Sequence, residues 1–326
     1  MSGQPLRIAR DAPFPWFGGK RRVAPIVWRA LGDVRGYVEP FAGSLAVLLQ
    51  RPGESFGVET VNDKDAYVAN FFRALQHAPD EVARYADSPV NECDLFARHL
   101  WLVNTGRERI AALESDPDHF DAKVAGWWVW GVCAWIGSGW CSGKGPWQLP
   151  HLGDPGRGVN RKLPHLGDPG RGYVRTEAVY EWMNGLAARL RRVRVCCGDW
   201  SRVVTPSVLR GGGYPCGVFL DPPYETGGEN YSTGGEGIAA KVREWALEHG
   251  SDRRLRIVLC GYDGEGDMPG DWHCHGYSAT GAYVGKGATA QENRHRERLW
   301  FSPHCLPIDL RHVATAAGPL FQEPSA

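Results

Sequence analysis

Asp221-Pro222-Pro223-Tyr224 brings together a carboxylate, two proline-fixed backbone carbonyls and an aromatic ring. The stretch before it, Gly217-Val218-Phe219-Leu220, is apolar, as suits a parallel strand covered on both faces. Neither proline can donate to a sheet ladder, so pairing must stop at Asp221. In open α/β sheets, ligands sit in the crevice outside the carboxyl ends of the strands. Asp221 and Tyr224 are therefore expected to face such a crevice, Asp221 as an acid, a base or a hydrogen-bond acceptor. A strand followed by a tight turn is the plainer alternative.

Three more stretches have residue types suited to a site. Phe14-Pro15-Trp16-Phe17-Gly18-Gly19-Lys20 is a glycine loop carrying a point positive charge, and it feeds an amphipathic segment, 23–31. It lacks the spacing of a phosphate loop. Tyr37-Val38-Glu39-Pro40-Phe41-Ala42-Gly43-Ser44 predicts a short strand, a glycine turn and a helix over 45–49 capped by Ser44. It has one glycine where dinucleotide folds have three, which suits a carboxylate-bearing cofactor with an adenosine end better than a pyrophosphate. A strand over 55–61 then ends in Asn62-Asp63, about twenty residues beyond the turn, where an acid usually receives ribose hydroxyls. Glu59 is a rival for that role, and a helix cap at Asp63 for a helix over 64–75 is the structural alternative. Val193 to Trp200 predicts a strand ending in Asp199-Trp200, a suitable wall for an adenine ring.

These elements need a large scaffold, and 326 residues with 43% hydrophobic composition provide one. The longest nearly apolar run, 124–136, is shorter than a bilayer span, and 1–11 has no apolar core like a signal peptide's. The expectation is a cytoplasmic protein, with no membrane association and no obligate protein partner. Nine cysteines form no CxxC pair. His273-Cys274-His275 and His304-Cys305 are the nearest approach to a ligand set, and no metal is expected. Further strands are expected over 256–261 and 298–302, and a glycine-rich lid over 226–237.

From 77 to 182 the pattern changes. Helices are expected over 94–102 and 123–136, and eight tryptophans (101, 127, 128, 130, 135, 140, 147 and 182) suit either the core of a small inserted domain or stacking platforms for bases. Leu149-Pro150-His151-Leu152-Gly153-Asp154-Pro155-Gly156-Arg157-Gly158 recurs identically at 163–172. Two copies are too few for a solenoid, and each resembles an exposed loop ending in Arg157 or Arg171. Net charge is zero, but nine Arg or Lys against three acids lie between 157 and 194. That excess suits DNA phosphates, with Arg157, Arg161, Lys162, Arg171 and Arg175 as candidate contacts, or else a solvated helix face.

Taken jointly, Trp16-Phe17-Gly18-Gly19-Lys20, Glu39-Pro40-Phe41-Ala42-Gly43, Asn62-Asp63, Cys197-Gly198-Asp199-Trp200 and Asp221-Pro222-Pro223-Tyr224 resemble, in order, the motifs of Dam-like DNA adenine-N6 methyltransferases, particularly phage-encoded members. The resemblance implies a Rossmann-like α/β fold with a mostly parallel seven-stranded sheet, S-adenosylmethionine as methyl donor and a flipped adenine in double-stranded DNA as acceptor. Catalytic Asp221, Pro222 and Tyr224 are implied, as is a cofactor set of Trp16, Phe17, Lys20, Glu39, Phe41, Ala42, Gly43, Asp63, Asp199 and Trp200. Trp16 and Lys20 would touch the methionine end of the cofactor and Asp63 its ribose. The implied catalytic domain is 13–76 with 183–313, the target-recognition insert is 77–182, and 1–12 and 314–326 are expected to be disordered. Cytosine N4, a protein glutamine, or a non-catalytic DNA-binding role are the alternatives.

Overall fold

The structure is a computed structural model, and its described residues are 11–16, 20–53, 57–116, 118–135, 140–141, 176–223, 237–264, 267–277 and 297–308. Phe17, Tyr224, the five candidate DNA contacts, both copies of the repeated decapeptide, nearly all of the expected lid and both chain ends lie outside them.

Seven strands form one sheet: β1 (Gly36–Glu39), β2 (Val58–Asp63), β3 (Arg194–Cys197), β4 (Cys216–Leu220), β5 (Leu255–Tyr262), β6 (His273–Gly276) and β7 (Glu297–Phe301). Their order is β3-β2-β1-β4-β5-β7-β6. The pairings from β3 to β5 are parallel, and β7 runs antiparallel to both β5 and β6. The mostly parallel seven-stranded sheet expected from the resemblance is present. Every residue of β1 and β4 is buried, as apolar parallel strands covered on both faces require. The His273-Cys274-His275 run is edge strand β6, and among the described residues no His, Cys, Asp or Glu cluster could hold a metal ion.

Helix α1 (Ala24–Leu31) packs Ile26, Val27, Trp28 and Leu31 into the core. Helix α2 (Ala66–His77) follows β2, and its cap is Asp65, whose carboxylate accepts the Tyr67 amide at 2.9 Å. Asp63 is thus not the cap that the sequence allowed. Beyond α2 come α3 (Pro79–Ala86), α4 (Glu92–Trp101), a π turn running into the one-turn α5 (Arg107–Arg109), α6 (Ala122–Ala134) and α7 (Thr176–Leu190). Asn91 and Asp121 cap α4 and α6. Gly126 lets α6 approach α3, since a Cβ there would meet the Tyr85 Cβ at 2.4 Å and the Val82 carbonyl at 2.7 Å. Short α8 (Pro206–Gly211) and α9 (Ile238–His249) complete the chain.

Helices α3, α6 and α7 share one apolar cluster with α1 and α2, in which Phe14, Phe71, Phe72 and Trp128 meet edge to face or tilted, while Leu95 of α4 packs with Trp130 and Ala134 in a smaller one. Trp128 and Trp130 are fully buried core, which decides the role of those two rings. Trp101 and Trp127 are half-buried, with Lys123 Nζ 4.6 and 4.3 Å from their ring centres.

One sequence expectation fails. No α-helix follows Ser44. Gly43 and Leu45 both have left-handed backbones, φ 45° and 57°, and only a 3-10 turn, Leu48–Gln50, forms before Arg51-Pro52. Leu45 is wholly buried, so tertiary packing holds a conformation that its own side chain disfavours.

Candidate active site

β1 and β4 are neighbours at the centre of the sheet, and the chain leaves them towards opposite edges, β1 to β2 and β4 to β5. Such a switch point leaves a crevice at the carboxyl ends of the strands. Glu39 ends β1 and Asp221 directly follows β4. Between them lies a cleft of about 830 Å³ including its open mouth, lined among others by Trp16, Lys20, Glu39, Phe41, Gly43, Asp63, Asp199, Trp200 and Asp221.

One wall is the glycine turn. A Cβ on Gly43 would lie 2.5 Å from Trp16 Cδ1, so only glycine admits the indole at this distance. The turn is pinned to β2 twice: the Ala42 amide donates to the Asn62 carbonyl at 2.9 Å, and the Gly43 amide donates to Asp63 Oδ2 at 2.9 Å. Asp63 Oδ1 accepts the Asp65 amide at 2.9 Å. Burial pushes the Asp63 carboxyl up to about 7 despite these bonds. Asn62 donates to the Pro40 carbonyl at 3.1 Å and the Gly198 carbonyl at 3.0 Å, tying together the loops after β1 and β3. Its Oδ1 is buried without a hydrogen-bond partner among the described residues. Asn62 lines the cleft as well, a role that the sequence reading gave only to its neighbour.

The opposite wall carries charge. Lys20 Nζ lies 2.9 Å from Asp221 Oδ1, with the lysine side chain 5% and the aspartate 21% exposed. Burial opposes the ammonium charge, but Asp221 and nearby Tyr277, Cys260 and Glu297 overcome it and hold Lys20 well above the ordinary lysine range. Among the described residues, no cation pairs with Glu39 in this way. Glu39 is 2% exposed, it accepts the Tyr37 hydroxyl at 2.9 Å, and burial pushes its carboxyl up to about 8.

Glu59 does not reach the cleft. Arg51 Nη1 at 3.0 Å and Arg189 Nη1 at 2.7 Å clamp its carboxylate, and all three side chains are buried. Of the two acids that the sequence offered for one role, only Asp63 lines the cleft.

The mouth is aromatic. Phe41 and Trp200 have ring centres 6.3 Å apart and planes within 26°. Beside them, exposed Asp199 accepts Ser201 Oγ at 2.6 Å and the Ser201 amide at 3.0 Å, and these bonds lower its carboxyl. Pro222 lines not this cleft but a smaller crevice of about 300 Å³, with Trp300 and Met268. The cleft thus offers an ion-paired acid, two largely uncompensated carboxyls and flat aromatic surfaces, as a charged cofactor with an aromatic end would need.

Residues 16–100 match the family model of D12 class N6 adenine-specific DNA methyltransferases. Over this stretch the chain is similar to the Dam-like adenine-N6 methyltransferases. The match covers about a quarter of the chain, including Trp16, Lys20, Glu39, Gly43 and Asp63; Asp221 lies beyond it. No curated protein matches the chain. The sheet order and the cleft agree with a methyltransferase fold, and no helix among the described residues is long and apolar enough to cross a membrane.

Proposed function

We propose that this chain is a DNA adenine-N6 methyltransferase that uses S-adenosylmethionine, acts within a defined short sequence of double-stranded DNA, and works on an adenine turned out of the helix. The observation that carries this reading is the pairing of Asp221 with Lys20 at the floor of the cleft, facing the Asp63-pinned glycine turn.

The residues present fit such a cofactor. Asp63 is an acceptor for ribose hydroxyls, Phe41 and Trp200 offer flat surfaces for an adenine ring with Asp199 beside it, and Asn62 Oδ1 is a buried acceptor awaiting a donor. Trp16, packed on Gly43, and Lys20 close the inner end, where Glu39 also lies. Bound there, S-adenosylmethionine would supply an activated methyl group on a sulfonium sulfur.

An exocyclic purine amine is a poor nucleophile, because its lone pair is conjugated with the ring. Asp221 Oδ and the Pro222 carbonyl accept its two hydrogens and turn the lone pair towards the methyl carbon. Asp221 offsets the positive charge that grows on nitrogen as the new bond forms, and the surplus proton leaves by way of its carboxylate. Lys20, ion-paired to that carboxylate, holds it in position. Tyr224 stacks on the extruded base, which a duplex would otherwise bury. Fixing amine and methyl group in line contributes through effective concentration. Arg157, Arg161, Lys162, Arg171 and Arg175 contact the DNA backbone, within a target-recognition insert spanning 77–182.

The test is mass spectrometry and methylation-sensitive sequencing of DNA from cells expressing the wild type and Asp221→Ala. The expected result is N6-methyladenine confined to one short sequence with wild type and none with the variant. Folded wild type that leaves adenine unmodified would sink the reading.

A further inference from the structure

The cleft occupies the carboxyl ends of the parallel strands, and their amino ends, at the opposite edge of the sheet, carry a different chemistry. β1, β4 and β5 begin side by side, with Gly36 paired to Cys216 and Cys216 to Leu255. Arg35 immediately precedes β1, Arg254 precedes β5, Arg194 opens β3, and Arg210 lies in the last turn of α8, the helix before β4. The segments 33–36, 191–194, 210–215 and 252–255 meet this edge, and together they hold seven arginines, no lysine and two acids, Asp33 and Asp252, in a chain of zero net charge.

These arginines gather round one loop, 211–214. A Cβ on Gly211 would lie 3.6 Å from Arg194 Nη1, and one on Gly213 would lie 3.4 Å from Arg35 Cδ. Arg254 Cζ stands 5.2 Å from the centre of the Tyr214 ring, and Arg210 adjoins the loop in sequence. Arg35, Arg194, Arg210 and Arg254 are all exposed. Asp252 neutralises Arg254, at 2.7 Å. Arg210 donates Nε–H to the Pro206 carbonyl at 3.0 Å, but among the described residues no carboxylate pairs with Arg35, Arg194 or Arg210. Like charges crowded in this way repel one another, and a bound polyanion turns the crowding into attraction.

We propose that this edge is a second DNA-binding surface, which grips the phosphates of one duplex segment while the cleft at the far edge holds another. The inference rests on the DNA reading above. Two features select DNA phosphates as the occupant. The first is the use of arginine throughout, since the planar guanidinium fork matches phosphate oxygens in pairs where an ammonium offers only a point charge. The second is length. From β3 to β5 there are four strand spacings, roughly 19 Å at about 4.8 Å each. That is the rise of about five or six phosphates along one strand of a duplex. A free phosphate or a mononucleotide would engage only one end of the row. The surface is also separate from the site of methylation: the five residues of β4, roughly 17 Å at about 3.4 Å each, stand between the loop before it and Asp221 after it.

The test asks whether one chain holds two duplexes. Short duplexes carrying the methylated sequence and a donor fluorophore are mixed with acceptor-labelled duplexes of unrelated sequence, the full chain and S-adenosylhomocysteine. Energy transfer reports their approach, and sedimentation counts chains and duplexes in the complex. Wild type is expected to give one chain with two duplexes at low salt. Arg35→Ala combined with Arg194→Ala and Arg210→Ala is expected to weaken the second duplex by roughly tenfold or more and to lower its salt slope by about 2.7, the loss of three phosphate contacts. Single-turnover methylation of a short duplex by that variant should stay within about twofold of wild type, because none of the three residues lines the cleft. Should circular dichroism show the triple variant unfolded, Arg191→Ala with Arg192→Ala, exposed at the same edge, replaces it and is expected to weaken the second duplex several-fold.

A wild type that methylates DNA yet holds only one duplex per chain overturns the proposal, as does a second duplex bound equally well by the folded variants; in both cases the DNA reading stands. Phosphatidylserine vesicles form the control arm. Vesicle binding that the triple substitution abolishes, while the second duplex persists, assigns the edge to a membrane surface and overturns the proposal as well. A wild type that neither binds nor methylates DNA fails the DNA reading, and the second surface fails with it.

Discussion

Lys20 Nζ meets Asp221 Oδ1 at 2.9 Å across the switch point of the sheet, although most of the chain separates the two residues. The pair engages one carboxylate oxygen and holds the side chain's direction. Lys20→Met should therefore lower the single-turnover rate roughly a hundredfold or more, the scale of losing one preorganised charge partner, with a smaller effect on DNA affinity. Rapid-quench methylation of an oligonucleotide duplex checks this. A rate within a few-fold of wild type would remove Lys20 from the proposed machinery.

Gly43→Ala adds a methyl at φ 45° and drives it into Trp16. The expected outcome is at least roughly tenfold weaker S-adenosylhomocysteine binding with most of the fold retained, since the strain is confined to one turn. Calorimetry together with circular dichroism separates the two effects.

Glu39 and Asp63 make ligand-free stability depend on pH. Both folded-state values are raised, to about 8 and about 7, so between the ordinary carboxylate range and these values the folded chain binds more protons than the unfolded chain. Stability contributed by the neutral forms is fully present below the ordinary range and is lost as pH rises through the raised values. Melting temperature should fall from mildly acid to mildly alkaline pH, and Glu39→Gln should flatten the fall. Thermal melts across that window supply the check, and a wild-type melting temperature that rises over it would contradict the argument.

Glu59 sits between two buried arginines. Glu59→Gln removes a buried charge and leaves both guanidiniums without their anion, which typically costs about 3–5 kcal/mol. Denaturant unfolding measures this loss. Whatever fraction stays folded should still bind S-adenosylhomocysteine, because Glu59 does not line the cleft.

Much of the scaffold was legible because its signals are local. An apolar run stopped by two prolines marks β4 and its carboxyl end, and an acid following a strand marks the place of Asp63. Relations between distant segments were not legible. Nothing near Glu59 in sequence announces Arg189, and only the fold shows that this acid is tied up while Asp63 lines the site. The helix expected after Ser44 looked sound from its apolar residues, but burial of Leu45 in a left-handed conformation overrides local propensity. Trp128 and Trp130 were ambiguous as sequence, because an indole suits a core and a stacking surface alike; burial decides them.

Helix α7 returns the chain to the sheet through firm attachments: Arg189 bonds Glu59 and the Leu48 carbonyl, and the Gln76 side-chain amide donates to the carbonyls of Leu190 at 2.6 Å and Val193 at 2.9 Å. On the outgoing side, Trp140 Nε1 donates to the Trp128 carbonyl at 3.1 Å. The intervening residues, 142–175, hold the repeated decapeptide, so that duplication happened between two fastened ends. Deleting one copy of the repeat shortens the chain between those two ends by a defined length and leaves every attachment named here in place.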